Sequence, residues 1–364
     1  MVSTLVVNDA GTELSYVDSG APSKSVYITV FAVHGMVFTS PVFQKVQGLA
    51  LKAGLRFVAI NRRNYPGSSP FTPDELNVIM QGTDEQKDAY MKARGHEIAT
   101  FIDLFVQKHN LPPISDDGKT GGVVILGWSL GNSMSMASIA NLDTLPTDVQ
   151  SRFASRVRTL IMHGSFFLML NLPMHIVLPD IPEPSPIILG LPSPPQHWAP
   201  LLNTSMPEEL RVPAFTQWIT GYFQHGDLSK RDLNDLSYVL HATFRPPTIF
   251  NMSAEQYKDI VSEGPNAAVD TPFMVNFIPQ LLASYRKTCY DGSVRTSLPK
   301  MKVWFLTGDM TASLGPAALW AVEDDDKERG GGFVTCKMIP GANHFVHWDD
   351  PEVTLKVYLE CIMG

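Results

Sequence analysis

Residues 123–131, Val-Val-Ile-Leu-Gly-Trp-Ser-Leu-Gly, carry the pattern with the clearest chemical meaning in this chain: Ser129 lies between Gly127 and Gly131, just after four apolar residues. The apolar run predicts a buried strand. The small-x-Ser-x-small spacing predicts a tight strand-to-helix turn, a nucleophile elbow, that lifts the hydroxyl out of the sheet. Glycines suit such a turn because side chains at those positions would collide with the neighbouring strand and helix. A serine hydroxyl is barely ionised at neutral pH, so it needs a histidine to take its proton and a carboxylate to orient that histidine. The expected base is His344, in Pro340-Gly341-Ala342-Asn343-His344-Phe345-Val346-His347-Trp348, with His347 as its competitor. An oxyanion formed on attack needs backbone N–H donors already aimed at it. Leu130, next to the nucleophile, would supply one and Met36, in His34-Gly35-Met36, the second. His34, Gly35 and Trp128 are the expected substrate-contacting neighbours, and His34 would also brace its loop.

These residues need a scaffold that brings them to one edge. Leu5–Val7 and Glu13–Val17 read as a hairpin around Asn8-Asp9-Ala10-Gly11. The continuous apolar run Val26–Val33 predicts a strand buried on both faces, and Arg56–Ile60 and Arg158–Met162 read as further strands. Helical spacing over Asp84–His109, ended by Pro112 and Pro113, and a helix from Leu130 to Asn141 alternate with them. Alternation of this kind predicts a parallel sheet with helices on both faces. The rhythm breaks between Gly164 and Tyr285, where Pro173, Pro179, Pro182, Pro184, Pro186, Pro192, Pro194 and Pro195 precede helical segments bearing Phe215, Trp218, Tyr222, Phe223, Tyr238, Phe244 and Tyr257. This reads as an inserted cap over the active edge, residues 165–285, on a core of 1–164 and 286–364; an independent second domain is the alternative. Strands return at Met301–Leu306 and Phe333–Ile339 around a helix near Pro316–Val322, and Val353–Ile362 closes the chain as a helix.

The bulk properties narrow the function. The 364 residues are 44% hydrophobic and 18% charged, as in ordinary globular proteins. A formal net charge of -8 argues against a nucleic-acid surface, which needs a basic footprint. The acidic run Glu323–Asp326 is expected to be a solvated loop. No stretch approaches the roughly 18 apolar residues of a membrane span, and the start lacks the basic and apolar regions of a secretory signal. A cytoplasmic protein without membrane contact is therefore expected. Cys289, Cys336 and Cys361 have no metal-binding spacing and read as reduced thiols. Sequons at Asn203 and Asn251 carry little weight without a signal, and the final Cys-Ile-Met-Gly is a poor prenylation box.

The His-Gly pair, the Gly-x-Ser-x-Gly elbow and the Gly-x-x-His-Phe-x-x-Trp-x-x-Pro stretch at Gly341–Pro351 resemble the capped, serine-nucleophile α/β-hydrolases, esterase- or lactonase-like. The likeness covers about residues 13–164 and 290–362, and nucleophile, acid and histidine fall in the family's order. It implies an eight-stranded, mostly parallel sheet with a mainly helical cap. Haloalkane dehalogenases and related epoxide hydrolases are similar but carry aspartate at the apex, so Ser129 implies acyl transfer. In the family the acid commonly follows the penultimate strand as Gly-x-x-Asp, whereas here Gly308-Asp309-Met310-Thr311 puts threonine at that place. Asp309, two residues earlier and on the same side of an extended strand, is the expected acid. The rivals are the Glu323–Asp326 run and a variant without an acid. After Arg158–Met162, where some members carry the acid, this chain has His163-Gly164-Ser165. The loop Asn61–Ser69 also departs from the Asp-x-Arg-Gly-x-Gly-x-Ser of relatives, with Asn61 and Asn64 in place of aspartate and glycine; it is expected to brace the site.

The resulting expectation is a cofactor- and metal-independent serine hydrolase acting on an ester or lactone of a fairly large, apolar small molecule. The alternatives are the same site used for amide or carbon–carbon bond hydrolysis, cyanohydrin cleavage or acyl transfer in secondary metabolism, and a slow-turnover ligand-binding protein on the same scaffold.

Overall fold

The computed structural model describes residues 2–164, 196, 198–262 and 265–364, the side chains of 265–268 apart. The proline-rich stretch expected to open the cap lies outside the described residues. Eight strands form one sheet in the order β1-β2-β4-β3-β5-β6-β7-β8: β1 (Val2–Val6), β2 (Glu13–Asp18), β3 (Ile28–Val33), β4 (Leu55–Ile60), β5 (Val123–Trp128), β6 (Val157–His163), β7 (Lys302–Gly308) and β8 (Thr335–Ile339). The first two are antiparallel, and β3 to β8 run parallel. Every residue of β3, β4, β5 and β6 is buried, because continuous apolar strands can satisfy their side chains only when both faces are covered.

The helices before the insertion are α1 (Gln44–Ala50), α2 (Pro73–Gln81), α3 (Asp84–Lys108), α4 (Gly131–Ala140) and α5 (Thr147–Arg156). Between β6 and β7 come α6 (Glu208–Ile219), α7 (Ala254–Ile260), α8 (Pro265–Asn276), α9 (Ile278–Tyr290) and α10 (Gly292–Ser297). The chain ends with α11 (Leu314–Glu328), α12 (Val346–Asp349) and α13 (Pro351–Met363). Helices α3, α4 and α9 pack together as one layer, and α1 packs with α13 as another. The expected cap boundary at residue 285 falls inside α9, whose packing on α3 and α4 ties it to the sheet's helical layer.

The acidic run is a correction. Glu323–Asp326 lies inside α11, which extends well past Val322, and Asp325 and Asp326 are buried. Asp326 accepts from the N–H groups of Gly332, Phe333 and Val334, satisfying the turn into β8, and Asp325 pairs with Arg329. Four acidic residues in a row suggest solvent, but an acidic side chain near a helix end can also collect the N–H groups of the following turn.

The ladder register positions the site. Val33 pairs with Gly127, Trp128 with His163, His163 with Leu306, and Gly308 with Ile339. Parallel strands in this register end together, so the segments after them, at His34, Ser129, Gly164, Asp309 and Pro340, emerge along one edge. Ligands of open α/β sheets bind outside that edge.

Candidate active site

Ser129 follows β5 with φ of 54°, the left-handed region that non-glycine residues rarely adopt. Such a conformation costs about 1–3 kcal/mol and persists only when the surroundings over-determine it. Here the Ser129 N–H donates to His163 O at 2.9 Å, and its carbonyl accepts from the backbone and side-chain nitrogens of Asn132 at 3.1 and 2.9 Å. The elbow glycines are required sterically. A Cβ at residue 127 would lie 2.5 Å from Asn132 Cα, and one at residue 131 would lie 2.1 Å from Val33 O. Gly35 comes equally close: a Cβ there would sit 2.8 Å from Ser129 Cβ and 3.2 Å from its Oγ. The N–H groups of Met36 and Leu130 have no acceptor among the described residues. One of these donors belongs to the residue after the serine, and the other follows Gly35, which lies against the serine side chain.

His344 is buried, and its ring lies against Trp128 with centroids 5.0 Å apart. The indole Nε1 of Trp128 donates to His344 O at 3.1 Å, so the residue before Ser129 holds both the ring and the backbone of the histidine. Burial, then the nearby His163, push the His344 pKa well below its ordinary value. The ring is neutral at pH 7, the form a general base needs. Gly164, with φ of 59°, lies beside it, and a Cβ there would be 2.9 Å from Cε1 and 3.0 Å from Nδ1 of His344. Asn343 fixes the loop: its Nδ2 donates to Thr220 O and Thr248 Oγ1, each at 2.8 Å, and its Oδ1 accepts from Phe345 N–H. Thr248 and Tyr222 in turn both donate to Asp349. Among the described residues no hydrogen bond joins Ser129 Oγ to the His344 ring; such bonds often tighten only when substrate is present. His347, the competitor, is fully buried against Trp128, Phe43 and Phe345 and packs as a core aromatic.

A family model described as the alpha/beta hydrolase family matches residues 30–357. The chain belongs to the alpha/beta hydrolase family. Among solved structures it is similar to Cfl2 from Burkholderia cenocepacia, with 14% identity, 99% of this chain and 94% of that one covered, and a TM-score of 0.54. It is also similar to a bromoperoxidase from Bacillus anthracis, with 12% identity, both chains fully covered and a TM-score of 0.50. A thioesterase domain from the curacin biosynthetic pathway has 13% identity, 99% coverage of each chain and a TM-score of 0.50. At such identities the likeness is one of fold. No curated protein sequence matches the chain significantly.

In this alpha/beta hydrolase the expected acid takes another position. The Asp309 carboxylate accepts from Gly341 N–H at 2.7 Å, and its charge acts on His225; burial and His163, not Asp309, shift His344. Asp309 thus braces the loop that carries His344 and does not bond its ring. A carboxylate on the first residue past β7 reaches the adjoining turn before it reaches a side chain three residues further on. The rival acids are also engaged elsewhere, Glu323 and Asp324 with Arg231 and the other two as described above.

His34 and Trp128, like Ser129 and His344, are buried. His34 Nδ1–H donates to Gly35 O at 2.7 Å, and its Nε2 accepts from Arg62 N–H at 3.0 Å, so the ring ties its own segment to the one after β4. The Asn61–Ser69 loop is tied to the segment after β3. Asn61 Oδ1 accepts from Ser40 N–H, and Asn64 sits at φ of 68°, a conformation asparagine tolerates better than most residues. Sequence reading missed Arg62, Tyr65 and Asp270, which form a buried cluster beneath Gly35. Two adjacent arginines directly after a buried strand were the available signal. Asp270, 208 residues from Arg62, had none.

The three cysteines are free, and burial raises each thiol; Cys336 and Cys361 are pushed up to about 12. Among the described residues no His, Cys, Asp or Glu cluster could hold a metal ion, and no helix is long and apolar enough to cross a membrane.

Proposed function

We propose that this hydrolase is a serine enzyme that cleaves a carboxylic ester or lactone through an acyl-enzyme. His344 takes the proton of Ser129, Ser129 Oγ attacks the carbonyl, and the N–H groups of Met36 and Leu130 hold the tetrahedral oxyanion. The leaving alcohol takes the proton back from His344. Water, deprotonated by His344, then releases the acid and regenerates Ser129. Asp309 serves by holding the turn at Gly341, and residues between β6 and β7 form the cap over the edge. The aromatic content of that cap supports an apolar substrate of some size.

The observation that carries this reading is Ser129 itself, held at positive φ on the elbow, with the N–H groups of Leu130 and Met36 lacking an acceptor among the described residues. A fluorophosphonate probe tests it: stoichiometric labelling at Ser129 that disappears in Ser129→Ala supports an activated nucleophile. A folded wild-type protein that stays unlabelled sinks the proposal. That outcome would favour a ligand-binding protein on the same scaffold, for which the position of Asp309 away from the His344 ring is the supporting observation.

A further inference from the structure

The Met36 N–H belongs to the peptide group whose carbonyl is Gly35 O. A trans peptide is planar, with C=O and N–H pointing in opposite directions, so whatever grips Gly35 O also aims the Met36 N–H. Two groups grip it: His34 Nδ1–H at 2.7 Å and Arg62 Nη2 at 3.0 Å. The next N–H, that of Val37, donates to Tyr65 Oη at 2.8 Å. Arg62 and Tyr65 converge on one carboxylate from the insertion. Asp270, in α8, accepts from Arg62 Nη1 at 3.1 Å, from Arg62 Nη2 at 2.6 Å and from Tyr65 Oη at 2.6 Å. Arg62 and Asp270 are buried, each side chain about 5% exposed. Charge-assisted bonds in such surroundings are short and directional.

The held segment is strained. Val37 has φ of 67°, an outlier for a β-branched residue. From its other side the insertion clamps it again: Ser262 N–H donates to Val37 O at 2.7 Å, and Thr39 N–H to Ile260 O at 2.8 Å. The loop that presents Met36 is therefore set by contacts from the insertion on two sides, with few of its own.

We infer that Asp270 is a positioning residue for oxyanion stabilisation, acting through Arg62 on Gly35 O and through Tyr65 on Val37 N–H. This rests on the serine-hydrolase reading above. The insertion then contributes to catalysis directly, beyond covering the edge, because its α8 carboxylate aligns a donor on the core. The Arg62 charge on Gly35 O also polarises the shared peptide group, which strengthens the Met36 N–H as a donor.

The test compares three proteins: wild type, Asp270→Asn, and Asp103→Asn, which alters an equally buried carboxylate paired with the more exposed Arg152 between α3 and α5. Each is assayed with a p-nitrophenyl ester and for inhibition by an alkyl trifluoromethyl ketone, which adds to the serine as a hemiketal oxyanion. Complete loss of an oxyanion donor lowers kcat by about 100- to 1,000-fold, so a misaligned one should cost about 10- to 100-fold. Asp270→Asn should show that loss, with a parallel weakening of the ketone and KM nearly unchanged, while Asp103→Asn keeps kcat. If Asp270→Asn keeps kcat, or both variants lose it equally, the inference is overturned. Should Asp270→Asn not fold, Asp270→Glu, which keeps the charge but shifts the carboxylate, takes its place with the same expected pattern. A wild type unlabelled by fluorophosphonate would instead sink the hydrolase reading itself, so the two failures are distinguishable.

Discussion

The two halves of the site are built by different means. On the Ser129 side, nine consecutive residues supply the strand, the turn, the serine and the proposed Leu130 donor, and clashes with backbone atoms dictate the glycines. On the histidine side, His344 sits in a loop whose position depends on Trp128 in β5, Gly164 after β6, Thr220 and Thr248 in the insertion, and Asp309 after β7. One half is local and backbone-made. The other is a convergence of side chains far apart in sequence. A site built this way can hold Ser129 rigid while His344 is tuned by whatever packs around it.

Gly131→Ala should break the first half with the largest effect. Its methyl would lie 2.1 Å from Val33 O and 2.6 Å from His34 O, both backbone atoms that cannot swing aside. Destabilisation should reach or exceed the upper end of the ~1–3 kcal/mol usual for overpacking. Urea unfolding measures it, and a variant as stable as wild type would show that the elbow has room the structure denies. Gly164→Ala probes the second half. The methyl would press on His344 Nδ1 and Cε1 and force an unfavourable φ, so kcat should fall by about 100-fold, the cost of misplacing a reacting group by an ångström. Unchanged kcat in a folded variant would mean that the ring tolerates displacement.

The buried histidines make the comparison pH-dependent. Burial lowers His34, His344 and His347 well below the ordinary value and brings His163 to about 4. Their unfolded counterparts titrate near 6.5 and so bind protons first as pH falls. Stability from these groups is thus complete above about pH 6.5 and drains away toward the folded values, about 4 for His163. Three of the four lie on the histidine side. Denaturant unfolding at pH 7.5, 6 and 5 should show a progressive loss, and a flat profile would count against neutral burial. The smallest effect is expected from Asp309→Asn, because an amide oxygen can still accept from Gly341 N–H; kcat should stay within a few-fold of wild type. A loss near the ~10,000-fold seen when a triad aspartate becomes asparagine would return Asp309 to the role of orienting acid.

The contrast also explains what could be read without a structure. The sheet was legible because strands buried on both faces must be continuously apolar, as Ile28–Val33 and Val123–Trp128 are, and their alternation with helices leaves few topologies open. The edge that gathers Ser129 and His344 followed from parallel strands ending together. The α2 helix was missed although Thr72-Pro73-Asp74-Glu75 is a capping-box signature, realised here by reciprocal Thr72 and Glu75 bonds.

Sequence by itself determined the family, the order of the strands' chemistry and the elbow, because these depend on periodicity and on residues within a turn of each other. Only the tertiary structure decided that Asp309 supports a loop, that Trp128 and His34 are buried braces, that Gly164 lies beside the His344 ring, and that Asp270 reaches the segment at Gly35 through Arg62. The physical reason is that a carboxylate or an indole acts on whatever it meets within about 3 Å, and which partner that is depends on how distant segments pack together, as Trp128 does with His344, 216 residues away.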